Sequence, residues 1–166
     1  MSANSVQSCH VRRAVTEDAP AIASLLYASF VEFRPLYTPE GFEATAITTE
    51  EVLGRMSEGP VWLAVQEDSL LGTVAAVARG PVLYVRGMAV LPSLRGKGVG
   101  EALLKAVEAF AMEHGHTTLL LTTTPFLDSA IRLYERFGFS RAAGGDTDLN
   151  GTPLFTMEKR LSNSAG

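Results

Sequence analysis

The sequence is poor in cysteine: Cys9 is the only one among 166 residues, so the chain cannot form an internal disulfide. It also lacks an apolar run approaching the roughly 20 residues that a membrane-spanning helix needs. Residues 1–8 are mostly polar and contain no apolar stretch of the kind found in secretory signal peptides. These absences favour a cytoplasmic protein without a membrane partner.

Positive charge is also scarce. The chain carries 14 Lys and Arg against 18 Asp and Glu, a formal net charge of -4, so we expect no nucleic-acid partner. The histidines are His10, His114 and His116. The last two lie close together but have no nearby third ligand, so we expect no metal site. Any anion must therefore be held by a local group of basic residues.

The chain does contain enough apolar sequence for one core. Apolar residues make up 46% of it, and no internal repeat or low-complexity linker divides them. This length fits one domain. We predict a single domain over residues 1–166 with a core over about 9–160, and we expect the Ser-, Asn- and Gly-rich ends, 2–8 and 162–166, to be disordered.

The hydrophobic pattern predicts about seven strands and about four helices. Strands are expected at residues 9–14, 61–66, 70–78, 82–91, 117–124, 139–143 and 153–160, and helices at 17–31, 49–57, 98–113 and 128–137. Thr16, Thr48 and Asp128 are predicted to cap three of these helices, and an aromatic-rich loop is expected over 33–42. The unit over 82–124 predicts a right-handed crossover between parallel strands. The fold class is therefore α/β, with a mixed sheet and helices on both faces.

The most informative segment is the turn Arg95-Gly96-Lys97-Gly98-Val99-Gly100, between the central strand and the crossover helix. Free backbone N–H groups and the positive end of the helix dipole meet at such a junction. The glycines let an anion approach the backbone, and Arg95 and Lys97 add full charges. The pattern predicts a phosphate-binding site. A flexible loop without a ligand is the alternative.

Two common phosphate-binding motifs do not fit this turn. A Walker A loop would need a glycine in place of Leu91 and a serine or threonine in place of Gly98. A dinucleotide fingerprint would need a glycine in place of Glu101. The following strand also ends in threonines, without an acidic residue for a ribose.

The motif Arg95-x-x-Gly98-x-Gly100, after a strand that ends Met88-Ala89-Val90-x-Pro92, resembles the acetyl-CoA motif of the GNAT superfamily of N-acetyltransferases. The later stretch Ala130-Ile-Arg-Leu133-Tyr134-Glu-Arg-Phe137-Gly138-Phe139 resembles that superfamily's second signature. The two motifs in this order are more specific than either alone. The element order is similar over about 9–160. The resemblance implies a GNAT-like fold with splayed parallel central strands.

The resemblance also implies roles for individual residues. The pyrophosphate of acetyl-CoA would be held by the turn, namely Arg95, Gly96, Lys97, Gly98, Val99 and Gly100. The main chain of Met88, Ala89 and Val90 would bond the pantetheine arm, with Gly87 easing a bulge in the strand. Tyr134 would protonate the departing CoA thiolate. Its spacing on an apolar helix stripe by itself favours a core tyrosine.

Two positions depart from the family pattern. Leu127 stands where many relatives have an asparagine that bonds the pantetheine arm, and Asp128 and Ser129 are the neighbouring polar residues. Some relatives carry a glutamate on the central strand as general base, but residues 84–86 contain no carboxylate. The base is therefore unassigned, with a water relay as one option.

In this superfamily the acceptor site is usually formed by the first two helices, by the loop that connects them, and by the last hairpin. Here that loop contains Glu32, Phe33 and Tyr37. Aromatic rings with carboxylates suit an ammonium-bearing molecule. We therefore predict these three as acceptor-binding residues and a small cationic amine or a peptide amino terminus as acceptor. Ordinary packing of the rings and solvation of the carboxylates is the alternative.

The resulting prediction is an N-acetyltransferase that moves the acetyl group of acetyl-CoA directly to a primary amine. No covalent acyl-enzyme is expected, because Cys9 has no evident base beside it. The alternatives are a non-catalytic acyl-CoA-binding or regulatory module and a structural protein that binds no CoA. Many relatives dimerise, so a homodimer stays open beside a monomer.

Overall fold

The computed structural model of the protein describes residues 9–143 and 147–162. The strands are β1 (His10–Arg13), β2 (Val61–Gln66), β3 (Ser69–Arg79), β4 (Val82–Val90), β5 (Thr118–Thr123), β6 (Ser140–Arg141), β7 (Thr147–Leu149) and β8 (Thr152–Arg160). The α-helices are α1 (Ala19–Phe30), α2 (Pro39–Thr45), α3 (Thr49–Glu58), α4 (Val99–Glu113) and α5 (Asp128–Arg136). The predicted disorder of the chain ends concerns residues that, apart from Ser162, lie outside the described ones.

The strands form one mixed sheet in the order β1-β2-β3-β4-β5-β8-β6, and β7 pairs with β8 in the last hairpin. β4 and β5 run parallel, joined by the crossover helix α4, and the other pairs are antiparallel. The predicted mixed sheet and its parallel crossover are thus confirmed. The predicted numbers of strands and helices are each one short of those described, because β7 and α2 form where the sequence pattern predicts connections.

The segment predicted as an aromatic loop is partly helical. Residues 31–36 form a 3-10 helix, and α2 follows directly after Thr38. Thr38 caps α2: its hydroxyl accepts a hydrogen bond from Gly41 N at 2.9 Å, and Pro39 takes the first helical position. The same hydroxyl donates to the carbonyl oxygen of Asn150 at 2.8 Å. This segment is therefore fastened to the last hairpin.

The predicted capping box at the start of α3 is confirmed. Thr48 Oγ1 accepts from Glu51 N at 3.1 Å, and Glu51 Oε1 accepts from Thr48 N at 2.9 Å. The helix runs from Thr49 to Glu58, close to the predicted bounds.

The other two predicted caps are wrong. Thr16 begins a 3-10 turn, and α1 starts only at Ala19; at this corner the Asp18 carboxylate accepts the backbone N–H of Val15 at 2.8 Å. Asp128 is the first residue of α5 rather than its cap, and the cap position provides no side-chain hydrogen bond. Both errors are shifts of one or two residues at helix ends, where assignment is least certain.

Apolar side chains fill both faces of the sheet. On one face α4 packs through Val99, Leu103 and Val107, which have almost no exposed surface. On the other face α1 and α3 pack over β2, β3 and β4 through residues such as Leu26 and Val52. The two layers hold β4 in the middle of the sheet. Among the residues described, no helix is both long and apolar enough to cross a bilayer.

The central strand β4 carries a bulge. Thr73 of β3 faces Ala89 and Ala75 faces Arg86, so one residue of β3 opposes two of β4. Gly87, at the bulge, has φ +66°, which a residue with a side chain rarely adopts. The predicted bulge is therefore present.

The parallel strands β4 and β5 separate soon after they begin. They pair only over residues 82–84 and 118–120. Beyond that point the later half of β4 has no partner on its β5 side, which confirms the predicted splay. The bulge and the splay leave backbone groups of β4 unpaired beside the start of α4.

Candidate active site

A groove opens at the carboxyl end of β4, between the end of α1, the start of α4 and one face of α5. It is lined by these predicted residues of β4 and the turn: Met88, Ala89, Val90, Arg95, Gly96, Gly98 and Gly100. Tyr134 of α5 and Phe33 line it from other sides. Predicted residues that are up to 101 positions apart in the sequence thus line one surface. Four predicted residues do not line it, namely Glu32, Tyr37, Lys97 and Val99.

Two glycines of the turn adopt backbone conformations that other residues rarely adopt. Gly96 has φ +79° and Gly98 has φ +91°, and a Cβ on either would meet no atom within 4 Å. Gly98 occupies the cap position of α4 without a side chain to cap it. The first amides of a helix have no partner within the helix, so those of α4 remain available for an anion.

Val99 and Gly100 act differently from the rest of the turn. The Val99 side chain is 1% exposed in the core, so only its backbone can reach the groove. A Cβ on Gly100 would lie 2.5 Å from Leu133 Cδ2. Gly100 therefore allows α4 to pack closely against α5, a role the sequence analysis did not foresee.

Arg95 connects the turn to the end of α1. Its guanidinium donates to Glu32 Oε1 at 2.9 Å and to the carbonyl oxygen of Ser29 at 2.7 Å, and lies 5.5 Å from the Phe33 ring centre. Glu32 thus reaches the groove through Arg95, and part of the charge of Arg95 is already balanced. Lys97 is exposed and forms no ion pair with a described residue.

Tyr134 combines a buried ring with a hydroxyl at the groove. The residue is 6% exposed, and its ring centre lies 5.8 Å from that of Phe139. No residue within 9–143 or 147–162 hydrogen-bonds its hydroxyl. Burial raises the pKa of Tyr134 above the ordinary value, and the neighbouring Tyr37 raises it further. The hydroxyl therefore stays protonated at neutral pH.

Tyr37 lies beneath the groove rather than on its surface. It is 7% exposed, and its ring meets that of Phe126 edge to face at 4.9 Å and that of Phe42 at 6.0 Å. Burial raises the pKa of Tyr37 as well. Phe33 completes this aromatic cluster, 6.2 Å from Phe126.

Some groove residues were missed by the sequence analysis. Ser29 is 1% exposed, and its hydroxyl has no hydrogen-bond partner in the described part of the chain. Phe30 and Leu94 also line the groove. No motif marks Ser29 and Phe30, because they reach the groove only through the packing of α1 against β4, whereas Leu94 lies in the 3-10 turn that follows β4. Near the start of α5, both Leu127 and Ser129 line it.

The described residues provide neither a metal-binding cluster nor a reactive thiol at this groove. The described residues contain no group of three or more His, Cys, Asp or Glu side chains able to hold a metal ion. Cys9 is half-buried against the core, and burial raises the pKa of its thiol, which lowers the thiolate fraction.

The sequence contains a stretch that matches the model of the Acetyltransferase (GNAT) family over residues 22–139. Among known proteins, the Uncharacterized N-acetyltransferase YjgM of Escherichia coli (strain K12) is 30% identical over 139 residues, which is 80% of this chain and 83% of the relative. N-acetylaspartate synthetase of Danio rerio is 37% identical over 89 residues, 52% of this chain and 31% of the relative. The chain thus spans about a third of the length of that relative.

Solved structures share the fold. PaiA N-acetyltransferase from Thermoplasma acidophilum in complex with coenzyme A has a TM-score of 0.77, with 20% identity over 93% of this chain and 99% of its own. YncA, a putative acetyltransferase from Salmonella typhimurium with its cofactor acetyl-CoA, has a TM-score of 0.73, with 20% identity over 96% and 97%. At this identity the likeness shows the fold alone. The family model, with the extended match to YjgM, shows that the chain belongs to the GNAT acetyltransferase family.

Proposed function

We propose that this protein is an N-acetyltransferase that moves the acetyl group of acetyl-CoA directly to a primary amine of a small molecule or peptide. One observation carries the proposal: the amide-lined start of α4, the unpaired edge of β4 and the Tyr134 face of α5 line a single groove. The coenzyme A and acetyl-CoA complexes of the PaiA and YncA neighbours support the same donor. We also propose that the chain works as one domain in the cytoplasm.

The residues present fit the donor. Gly96 and Gly98 leave open space over the free amides of α4, and exposed Lys97 and partly exposed Arg95 add positive charge for a pyrophosphate. The splayed edge over residues 88–90 offers backbone groups that the amides of a pantetheine arm can pair with. The amides of the turn and the edge of β4 belong to the main chain, so they depend on the backbone path, and the charges of Arg95 and Lys97 add to them.

Tyr134 is the proposed acid. As the amine nitrogen bonds to the acetyl carbon and the carbon–sulfur bond breaks, the sulfur leaves as a thiolate that Tyr134 protonates. Its place on the groove lining and its hydroxyl, which no described residue bonds, support this role, and its raised pKa keeps the hydroxyl protonated before the transfer. Residues 84–86 offer no carboxylate, so we assign removal of the amine's proton to water.

The acceptor is proposed to enter beside the aromatic cluster. Phe33 lines the groove, and Tyr37 lies just below it. Glu32 contributes by holding Arg95 in position. The name of the N-acetylaspartate synthetase relatives, which refers to an amino-acid derivative, supports including amino acids in the acceptor panel.

Thiol release with Tyr134→Phe tests the function. Wild-type protein should release free CoA when acetyl-CoA meets an accepted amine. Tyr134→Phe should bind acetyl-CoA normally by calorimetry and lose roughly 10²–10⁴-fold in kcat. Tyr27→Phe, which removes a half-exposed hydroxyl from α1, is the matched control and should keep full activity.

Three outcomes separate the alternatives. Binding of acetyl-CoA without turnover on any amine would support a non-catalytic acyl-CoA-binding module. No binding at all would leave only a structural protein. An unchanged kcat in Tyr134→Phe would remove Tyr134 from the mechanism while leaving the transferase proposal intact.

A further inference from the structure

Two arginines meet beside the bulge of β4. Arg55 comes from the last turn of α3, and Arg86 comes from β4 immediately before Gly87. A Cβ built on Gly87 would lie 2.7 Å from Arg55 Nη1, so this guanidinium rests directly against the bulge. Burial lowers the pKa of Arg55, and the charge of Arg86 lowers it further. The two cations are therefore close neighbours in a partly desolvated place.

Among the described residues, carboxylates lie near this pair, but only one of the two arginines is bonded to one. Arg86 forms a salt bridge with Glu58. Arg55 forms neither a hydrogen bond nor a salt bridge with any residue of the described ranges. The charge of Glu51 also acts on Arg55, while Glu51 Oε1 accepts the N–H of Thr48.

The hydrogen-bonding capacity of the pair is also unfilled. The Nε atom of Arg86 is buried without an acceptor in the part of the chain described. Arg55 keeps all of its guanidinium donors, five in number for any arginine. Arg55 therefore offers a guanidinium without a hydrogen-bonded partner beside the unfilled Nε of Arg86, and such planar donors bind a carboxylate through parallel hydrogen bonds.

The pair lies on the α1–α3 face of the sheet, next to the splay. Tyr84 shares this face, and its hydroxyl bonds Thr122 Oγ1 of β5 at 2.9 Å. Thr122 is only half-buried, so the surface between β4 and β5 is accessible here. Arg86 precedes the groove residue Met88 by two positions, across the bulge at Gly87, so their Cα atoms lie no more than about 7.6 Å apart. One small molecule can therefore touch both the pair and the groove.

We propose that Arg55 and Arg86 bind a carboxylate of the acceptor, so that the acetylated amine belongs to a small amino acid. This inference rests on the acetyl transfer proposed above and names its substrate class. It differs from the cationic acceptor expected from the sequence. The cationic acceptor was expected because the loop carries carboxylates, but the Glu32 carboxylate is bound to Arg95. An acceptor with a second positive charge would also be repelled by the two arginines.

The decisive experiment compares amino acids with their carboxamides, which differ only in the carboxylate charge, and includes an aliphatic diamine. Wild-type protein should use the amino acid with at least tenfold higher kcat/KM than its amide. Arg55→Gln should raise KM for the amino acid by roughly 10–100-fold, as expected for a lost charge-assisted contact, and leave the amide unaffected. Arg55→Lys should recover part of the loss.

The controls separate recognition from folding. Arg132→Gln removes an exposed arginine of α5 and should leave the acid-to-amide ratio unchanged. Arg55→Gln should keep the wild-type KM for acetyl-CoA. An equal loss on acid and amide would show a structural role only and would overturn the inference, as would equal use of acid and amide, or preference for the diamine, by the wild type.

A binding measurement keeps the inference separate from the proposed function. Calorimetry of amino acids into CoA-loaded protein needs no turnover; binding by the wild type and loss in Arg55→Gln would support the carboxylate site even in a chain that transfers nothing. Turnover on amides or diamines without acid preference would leave the transferase standing and refute the site. Absence of both acid binding and acid turnover would likewise refute the site.

Discussion

The contact between Gly100 and α5 gives a sharp prediction about the glycine-rich turn. A Cβ at this position would lie 2.5 Å from Leu133 Cδ2 and 3.7 Å from both Cδ1 and Cγ. Carbon atoms pack at about 3.5–4.0 Å, so Gly100→Ala must displace the leucine by about 1 Å. Overpacking costs about 1–3 kcal/mol; because the end of a flexible side chain can move, we expect about 1 kcal/mol.

Two measurements follow from this displacement. In a chain of this size, about 1 kcal/mol lowers Tm by about 2–4 °C, which calorimetric unfolding resolves. Leu133 lines the groove, so its movement should also weaken acetyl-CoA binding, measured by titration calorimetry. Gly98→Ala is the comparison: no atom lies within 4 Å of its Cβ, so its penalty comes from the φ of +91° alone.

A double-mutant cycle isolates the contact. In a Leu133→Ala background the clashing atoms are absent, so Gly100→Ala should cost clearly less there than in the wild type. Gly98→Ala should cost the same in both backgrounds. If Gly100→Ala carries the same penalty with and without Leu133, or leaves both Tm and acetyl-CoA affinity unchanged, the packing explanation is wrong.

Three further predictions concern charge, capping and pH. Lys97→Ala should weaken acetyl-CoA binding by roughly 1–3 kcal/mol with Tm unchanged; tight binding by this variant in titration calorimetry would argue against the phosphate cradle. Thr48→Ala should lower the free energy of unfolding by about 1 kcal/mol, because it removes the hydroxyl that accepts the Glu51 N–H in the capping box, and a denaturant midpoint equal to the wild type's would contradict this. Because burial raises the pKa of Tyr134, its hydroxyl should stay protonated up to about pH 10, and deprotonation of this group should not lower kcat below that pH. A decline of kcat below about pH 10 that disappears in Tyr134→Phe would refute this prediction.

Local chemistry explains which parts of the fold were predictable. The Thr48 and Glu51 cap is made by residues three positions apart, and the turn at Gly96 and Gly98 needs a backbone conformation that glycine adopts freely. The order of strands and the parallel crossover follow from hydrophobic periodicity and chain connectivity. A threonine before a proline, Thr38-Pro39, was the available local signal for α2 that the aromatic content of the segment obscured.

The sequence by itself determined the fold class, the glycine-lined start of α4 and the strand that bulges at Gly87, because each depends on residues that are neighbours in the chain. Only the tertiary structure decided which side chains from distant parts of the chain contact one another. Arg95 hydrogen-bonds Glu32, which is 63 positions away in the sequence. Gly100 packs against Leu133, and Arg55 lies beside Arg86. Such pairs form only when helices pack on the sheet, so burial and charge at the site are properties of the assembled layers rather than of any motif.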